Sequence, residues 1–101
     1  MLDKMKRLYQ LQKKAKEIQR ELKDTEIEAK SSGGEVTVVY NGEQRLVNLA
    51  IAESMLQVEK KKELQDMIVR LCSEAHSKAQ GLAADRTKDV MKEMGLNIPG
   101  M

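Results

Sequence analysis

The sequence predicts an α+β fold in which a three-stranded antiparallel meander separates two long helices. Three observations carry that reading. Residues 2–23 hold no Gly or Pro and place Leu8, Leu11, Ala15, Ile18 and Leu22 at alternating steps of three and four, the seam of a coiled-coil-like helix. Residues 25–51 alternate apolar and polar side chains between turn signals, the period of half-buried strands. From residue 60 to 84 the three-four spacing returns through Leu64, Ile68, Leu71, Ala75, Ala79 and Leu82. At 101 residues the whole chain, 1–101, makes one small domain.

Each element has its own local justification. The first helix, 2–23, would be about 30 Å long at 1.5 Å per residue. In the meander, 25–51, Thr25, Ile27 and Ala29 alternate with Glu26, Glu28 and Lys30, which gives a strand with one polar face. Ser31-Ser32-Gly33-Gly34 has the composition of a turn, and Val36, Val38 and Tyr40 alternate through a second strand. Asn41-Gly42 then predicts a type I′ hairpin, which needs φ > 0 at both central positions. Arg45 to Ile51 forms the third strand, with Val47, Leu49 and Ile51 on one face and Leu46 and Ala50 on the other. Residues 52–59 connect to the second helix, with a helical turn at Ser54–Gln57. Thr87–Met94 either continues that helix, 60–84, or forms a short third one. Gly95 is its stop, and 95–101 is a tail.

Charge is sorted along this framework. Residues 1–23 carry eight Lys/Arg against three acids, residues 24–59 two against seven, and residues 60–101 eight against six. The net +2 therefore hides a basic first helix, an acidic meander and a weakly basic second helix. On a helical wheel Lys6, Lys13, Lys16, Arg20 and Lys23 fall within about 100° of one another, opposite the seam. Lys4, Arg7 and Lys14 flank that face. If both helices project from one side of the sheet, their far ends meet, bringing Lys4, Lys6 and Arg7 near Arg86, Lys88 and Lys92.

Composition excludes several classes. With two Tyr and no Phe or Trp, the core must be thin, so a single copy buries little surface and self-association is the remedy. The open sheet edges, and apolar residues on both faces of the second and third strands, invite a second copy. One cysteine, no span of membrane length and no apolar signal core after Met1-Leu2-Asp3-Lys4 favour the cytoplasm.

His76 and Cys72, one helical turn apart, lack the third group that orients a catalytic dyad, and two ligands do not make a zinc site. Gly33-Gly34 is followed by no lysine and by a strand, so it is no phosphate loop. The reading is of no catalysis, no cofactor, no metal and no small-molecule substrate. Met67 packs in the core. The same-sign face of the first helix points to a polyanion, because a merely solvated face mixes signs. Scarce aromatics disfavour base stacking and bilayer insertion, which leaves the phosphates of a duplex.

Local strings agree. They are Leu8-Tyr9-Gln10-Leu11-Gln12-Lys13-Lys14, then Ser32-Gly33-Gly34, then Glu35 to Gly42 with its Val-x-Val-x-x-Asn-Gly pattern, and Val47-Asn48-Leu49-Ala50-Ile51. Leu64-Gln65-Asp66-Met67-Ile68, Glu74-Ala75 and the Gly95–Gly100 ending complete the set. In this order and spacing the chain resembles the YbaB/EbfC family of nucleoid-associated proteins over nearly its whole length. It departs where Ala52-Glu53 replaces a usual Asp-Pro pair, and in lacking a Gly-rich leader.

The resemblance implies a homodimer joined through its sheets, with long helices projecting like tweezers, DNA as partner, and nucleoid association. It brings no enzymatic residues. The DNA contacts expected are Lys4, Lys6, Arg7, Lys13, Lys14, Lys16, Arg20, Arg86, Lys88 and Lys92, in a role in nucleoid organisation or gene regulation. Two other classes fit the architecture: a prefoldin-like helical scaffold or holdase, which needs apolar helix tips where these mix Met1, Leu2, Met5, Met91 and Met94 with the cations, and an adapter that binds another protein through its seam.

Overall fold

A computed structural model describes residues 2–95. Helix α1 (Leu2–Asp24) leads into strands β1 (Glu26–Lys30), β2 (Val36–Asn41) and β3 (Leu46–Ile51), two short 3-10 turns (Glu53–Met55 and Val58–Lys60), and helix α2 (Lys61–Glu93). The strands form an antiparallel sheet in the order β1-β2-β3. The molecule is drawn out, 67 × 26 × 16 Å, because α1 leaves the sheet as an arm.

Alternation decides which face of the sheet is covered. Register sets Ile27 beside Tyr40 and Ala29 beside Val38, while Glu28, Lys30 and Thr37 take the opposite face. The first half of α2 lies over β1 and β2. Ala29, Val36, Val38, Leu71 and Ala75 are buried there, with Tyr40, Leu64, Met67, Ile68 and Cys72 packed around them. Ala75 and Ala79 are both fully buried, and their short side chains let the helix lie close on its support. Strand β3 is left outside this cover: Leu46, Val47 and Leu49 are all exposed.

Two local expectations give way to longer-range packing. Asn41-Gly42 does not make a two-residue hairpin. Asn41 ends β2, Gly42, Glu43 and Gln44 form the loop, and the left-handed residue is Gln44, at φ 68°. The Asn41 carboxamide oxygen accepts from the backbone N–H groups of Glu43 (3.0 Å) and Arg45 (3.2 Å), an Asx turn that replaces the type I′ geometry. Gly42 is there for space. Its N–H donates to the carbonyls of Leu22 (2.7 Å) and Thr25 (3.0 Å), so the end of α1 docks directly on the turn.

The second difference is a bulge in β3. Val39 faces Asn48 but Tyr40 faces Leu46, which makes Val47 the extra residue and carries Leu46 to the face of Leu49 and Ile51. The apolar surface of β3 therefore gathers on one face. The helical turn expected at Ser54–Gln57 is instead two 3-10 turns flanking Leu56 and Gln57, with Met55 buried.

Helix α2 runs unbroken past Ala84 to Glu93 and ends on Gly95, which takes φ 71° and donates its N–H to the Lys92 carbonyl (3.0 Å). Residues 96–101, the rest of the expected tail, lie outside the described residues.

Gly42 and Gly81 predict opposite effects. A Cβ at Gly42 would stand 2.7 Å from the Leu22 carbonyl oxygen and 2.8 Å from its Cα, both backbone atoms that cannot step aside. Gly42→Ala is expected to lose roughly 1–3 kcal/mol, as overpacking does. Gly81 is exposed in mid-α2 with nothing within 4 Å of such a Cβ. Gly81→Ala is expected to gain about 0.5–1 kcal/mol from helix propensity alone. Urea midpoints for the two variants check both signs.

Candidate nucleic-acid interface

Helix α1 buries no residue among those described; only Ile18 and Leu22 are half-buried. Its seam meets the last turns of α2. Leu11, Ala15, Ile18 and Leu22 line one cleft with Thr87, Val90 and Met91, and Arg7, Leu8 and Leu11 line the next with Glu93 and Met94. The helices therefore run antiparallel. Val90 is buried between them, which supplies the reason α2 continues beyond the polar run Asp85–Thr87.

The seam contact turns the other side of α1 to solvent. Lys6, Lys13, Lys16 and Arg20 are all exposed. Among the described residues none of the four stands within ion-pair distance of a carboxylate. Like charges at these spacings repel, so the face gains nothing for the helix itself. Lys14 differs, lying 3.5 Å from Glu17 in an exposed pair of little energetic weight. Lys4 stands one turn before Leu8 and so belongs to the seam side. Arg7 lines the distal cleft.

The α2 cations are placed unequally. Lys92 is exposed and Lys88 half-buried. Arg86 is not at the tip but near the root of the arm, where its guanidinium grips Glu21 (Nε to Oε2 2.8 Å, Nη2 to Oε1 3.2 Å). This two-point pair joins residues 65 apart in sequence. The Arg86 hydrogen bonds hold the Glu21 carboxyl below the usual carboxylate range, and the same bonds raise Arg86.

The sign for stability follows from the lowered carboxyl. Its contribution is complete above the unfolded-state value near 4.5 and is lost as pH falls through the folded value below it. Glu21→Gln should therefore melt below the wild type at neutral pH and converge with it in acid, as thermal scans across pH 2–7 would register.

Leu2 and Met5, the apolar residues the sequence places among the cations at the tip of α1, extend with Tyr9 into a patch on its outer face. Leu2, Met5 and Tyr9, spaced three and four apart, are exposed beside Lys6 and Lys13. Tyr9 is the member the sequence does not announce, because the stronger seam on the opposite side of the helix dominates the pattern.

The Cys72–His76 neighbourhood is part of the packing. Cys72 is half-buried against the core, and the His76 ring meets Tyr40 edge-on, 6.2 Å between centroids and 79° between planes. Burial, and then a hydrogen bond with Cys72, push the Tyr40 hydroxyl up. No group of three or more His, Cys, Asp or Glu among the described residues could hold a metal ion. None of the described helices is long and apolar enough to cross a membrane.

This arrangement has known counterparts. The model of the YbaB/EbfC DNA-binding family matches residues 1–94. The chain belongs to that family. Relatives include a nucleoid-associated protein of Clostridium kluyveri, 34% identical over 99 residues, covering 96% of this chain and 83% of that one. A nucleoid-associated protein of Methylocella silvestris is 33% identical over 101 residues, covering 100% and 94%. The crystal structure of an uncharacterized Helicobacter pylori protein superposes with a TM-score of 0.69 at 26% identity, covering 82% of this chain and 96% of that one. The helix–meander–helix order is thus shared with a solved structure.

Proposed function

We propose that this YbaB/EbfC chain is a homodimeric nucleoid-associated protein of the cytoplasm that grips duplex DNA through phosphate contacts, with weak sequence preference and a role in nucleoid organisation or gene regulation. One observation carries the reading: among the described residues, Lys6, Lys13, Lys16 and Arg20 stand exposed and without carboxylate partners on one side of an arm. Lys and Arg that face phosphate position a protein on duplex without reading bases. Lys92 and Lys88 add to the grip from α2. Arg86 serves it indirectly, by fixing the arm.

Dimerisation is supported by what the single chain leaves bare. Strand β3 has an unpaired edge, and Leu46, Val47 and Leu49 beside it are exposed, as are Leu56 and Val58 just beyond. The acidic meander then lies at the centre, away from phosphate, and two basic arms leave it.

The test is duplex affinity against salt, on one sequence and its scramble. With those four cations on each of two arms, log K should fall with log salt at a slope of up to about −7, and equally for both sequences. A flat salt response would sink the phosphate reading. The exposed Leu2 and Met5, with Met94 at the same end, keep a holdase as the second reading. That reading predicts suppression of aggregation by an unfolding client, with no gel shift on duplex.

A further inference from the structure

We infer that the end of α1 is an apolar wedge that enters the DNA minor groove and kinks the duplex; the inference rests on the DNA-binding reading above. Phosphate neutralisation needs only cations. Yet Leu2, Met5 and Tyr9 are 75%, 68% and 68% exposed, on the same surface as Lys6 and Lys13. They lie on the side of α1 away from α2, whose contacts are taken by Leu8, Leu11, Ile18 and Leu22. Among the described residues no carboxylate lines this surface. Its occupant therefore offers negative charge at the rim and apolar area between.

Two surfaces have that chemistry, an anionic bilayer and the sugar-and-base wall of a minor groove opened at a base step. The extent of the patch decides between them. A helix lying on a bilayer buries an apolar stripe along its length. Here the apolar side chains stop at Tyr9, and the same side continues as Lys13, Lys16 and Arg20. The result is a short apolar end followed by a cationic shaft. Side chains such as Leu and Met inserted between base steps unstack them and bend the duplex, while cations behind them hold the backbone. Tyr9, at the junction, brings an apolar ring and a hydroxyl suited to the groove edge.

The experiment uses the full chain and the variant with Leu2→Gln, Met5→Gln and Tyr9→Gln, which leaves every cation in place and alters only exposed positions. A short random-sequence duplex carries a dye at each end and 2-aminopurine within. The wild type should bring the ends closer and raise 2-aminopurine fluorescence. The variant should bind roughly tenfold more weakly with an unchanged salt slope, and neither bend nor unstack the duplex.

A variant that bends and unstacks like the wild type overturns the wedge, as does a wild type that binds without bending. A variant that loses binding to phosphatidylglycerol vesicles while bending DNA normally assigns the patch to lipid. One that changes oligomeric state in sedimentation assigns it to a second copy. A wild type that does not bind duplex at all removes the DNA reading itself, and the wedge with it.

Discussion

Lys6→Glu, Lys13→Glu and Arg20→Glu together are expected to abolish duplex binding while leaving the fold and the proposed dimer intact. The three positions span most of the arm, are exposed, and lack carboxylate partners among the described residues. In a dimer the change replaces six attractions with six repulsions. At moderate salt it should lower affinity by at least ~1,000-fold, and the residual salt slope should shrink by about 0.9 for each phosphate no longer neutralised. Stability should move by no more than about 0.5 kcal/mol, because solvated side chains outside any network rarely matter to folding.

Fluorescence anisotropy on labelled duplex gives the affinity, and sedimentation confirms that size is unchanged. Retained binding would reject α1 as the gripping element. Lys88→Glu with Lys92→Glu is the milder companion, expected to weaken binding without eliminating it, since Lys88 is half-buried. Arg86→Glu is a poor probe of DNA contact, because it would set two carboxylates against each other where Glu21 now pairs.

The sequence held the architecture in its periods, and the structure departs from it where a distant residue decides. Three-four spacing marks both helices because each buries one side only, α1 against the last turns of α2, and α2 first against the sheet and then against α1. Alternation marks the strands because only one face of the sheet is covered. Asn41-Gly42 misled because the local rule assigns Gly42 to its backbone freedom, whereas the residue is there to admit Leu22, twenty positions earlier. The bulge at Val47 was invisible for a related reason: Leu46 and Val47 are both apolar, so either register satisfies the pattern.

The continuation of α2 could not be settled from Asp85-Arg86-Thr87, a polar run that reads as an ending. Val90 in the seam and Arg86 on Glu21 hold it helical, and both contacts cross to the other arm. The charge of the candidate site was legible in full. Its geometry was not, because the Arg86–Glu21 pair withdraws one cation that composition counts equally with the rest.

Leu71→Ala is expected to be strongly destabilising, and its logic reaches the arms. Leu71 is 1% exposed and is among the largest fully buried side chains, set among Ala29, Val36, Val38 and Ala75. Truncation leaves a cavity under α2 that neighbours this small cannot fill, at a cost of about 2–5 kcal/mol. Against a total of about 5–15 kcal/mol for a domain, that is a large fraction.

A melting temperature lower by at least ~10 °C is the expected reading, with Val69→Ala on the exposed side of the same helix within about 0.5 kcal/mol of wild type. Helix α1 buries nothing of its own among the described residues, so its direction is inherited from α2 and from the turn at Gly42. DNA affinity should therefore survive in Leu71→Ala below its transition and disappear with the fold above it. Bound duplex should in turn raise the midpoint, by mass action on the native state. A variant that lost affinity while still folded would mean that α2 sets the arm through Leu71 directly, not through the sheet as a unit.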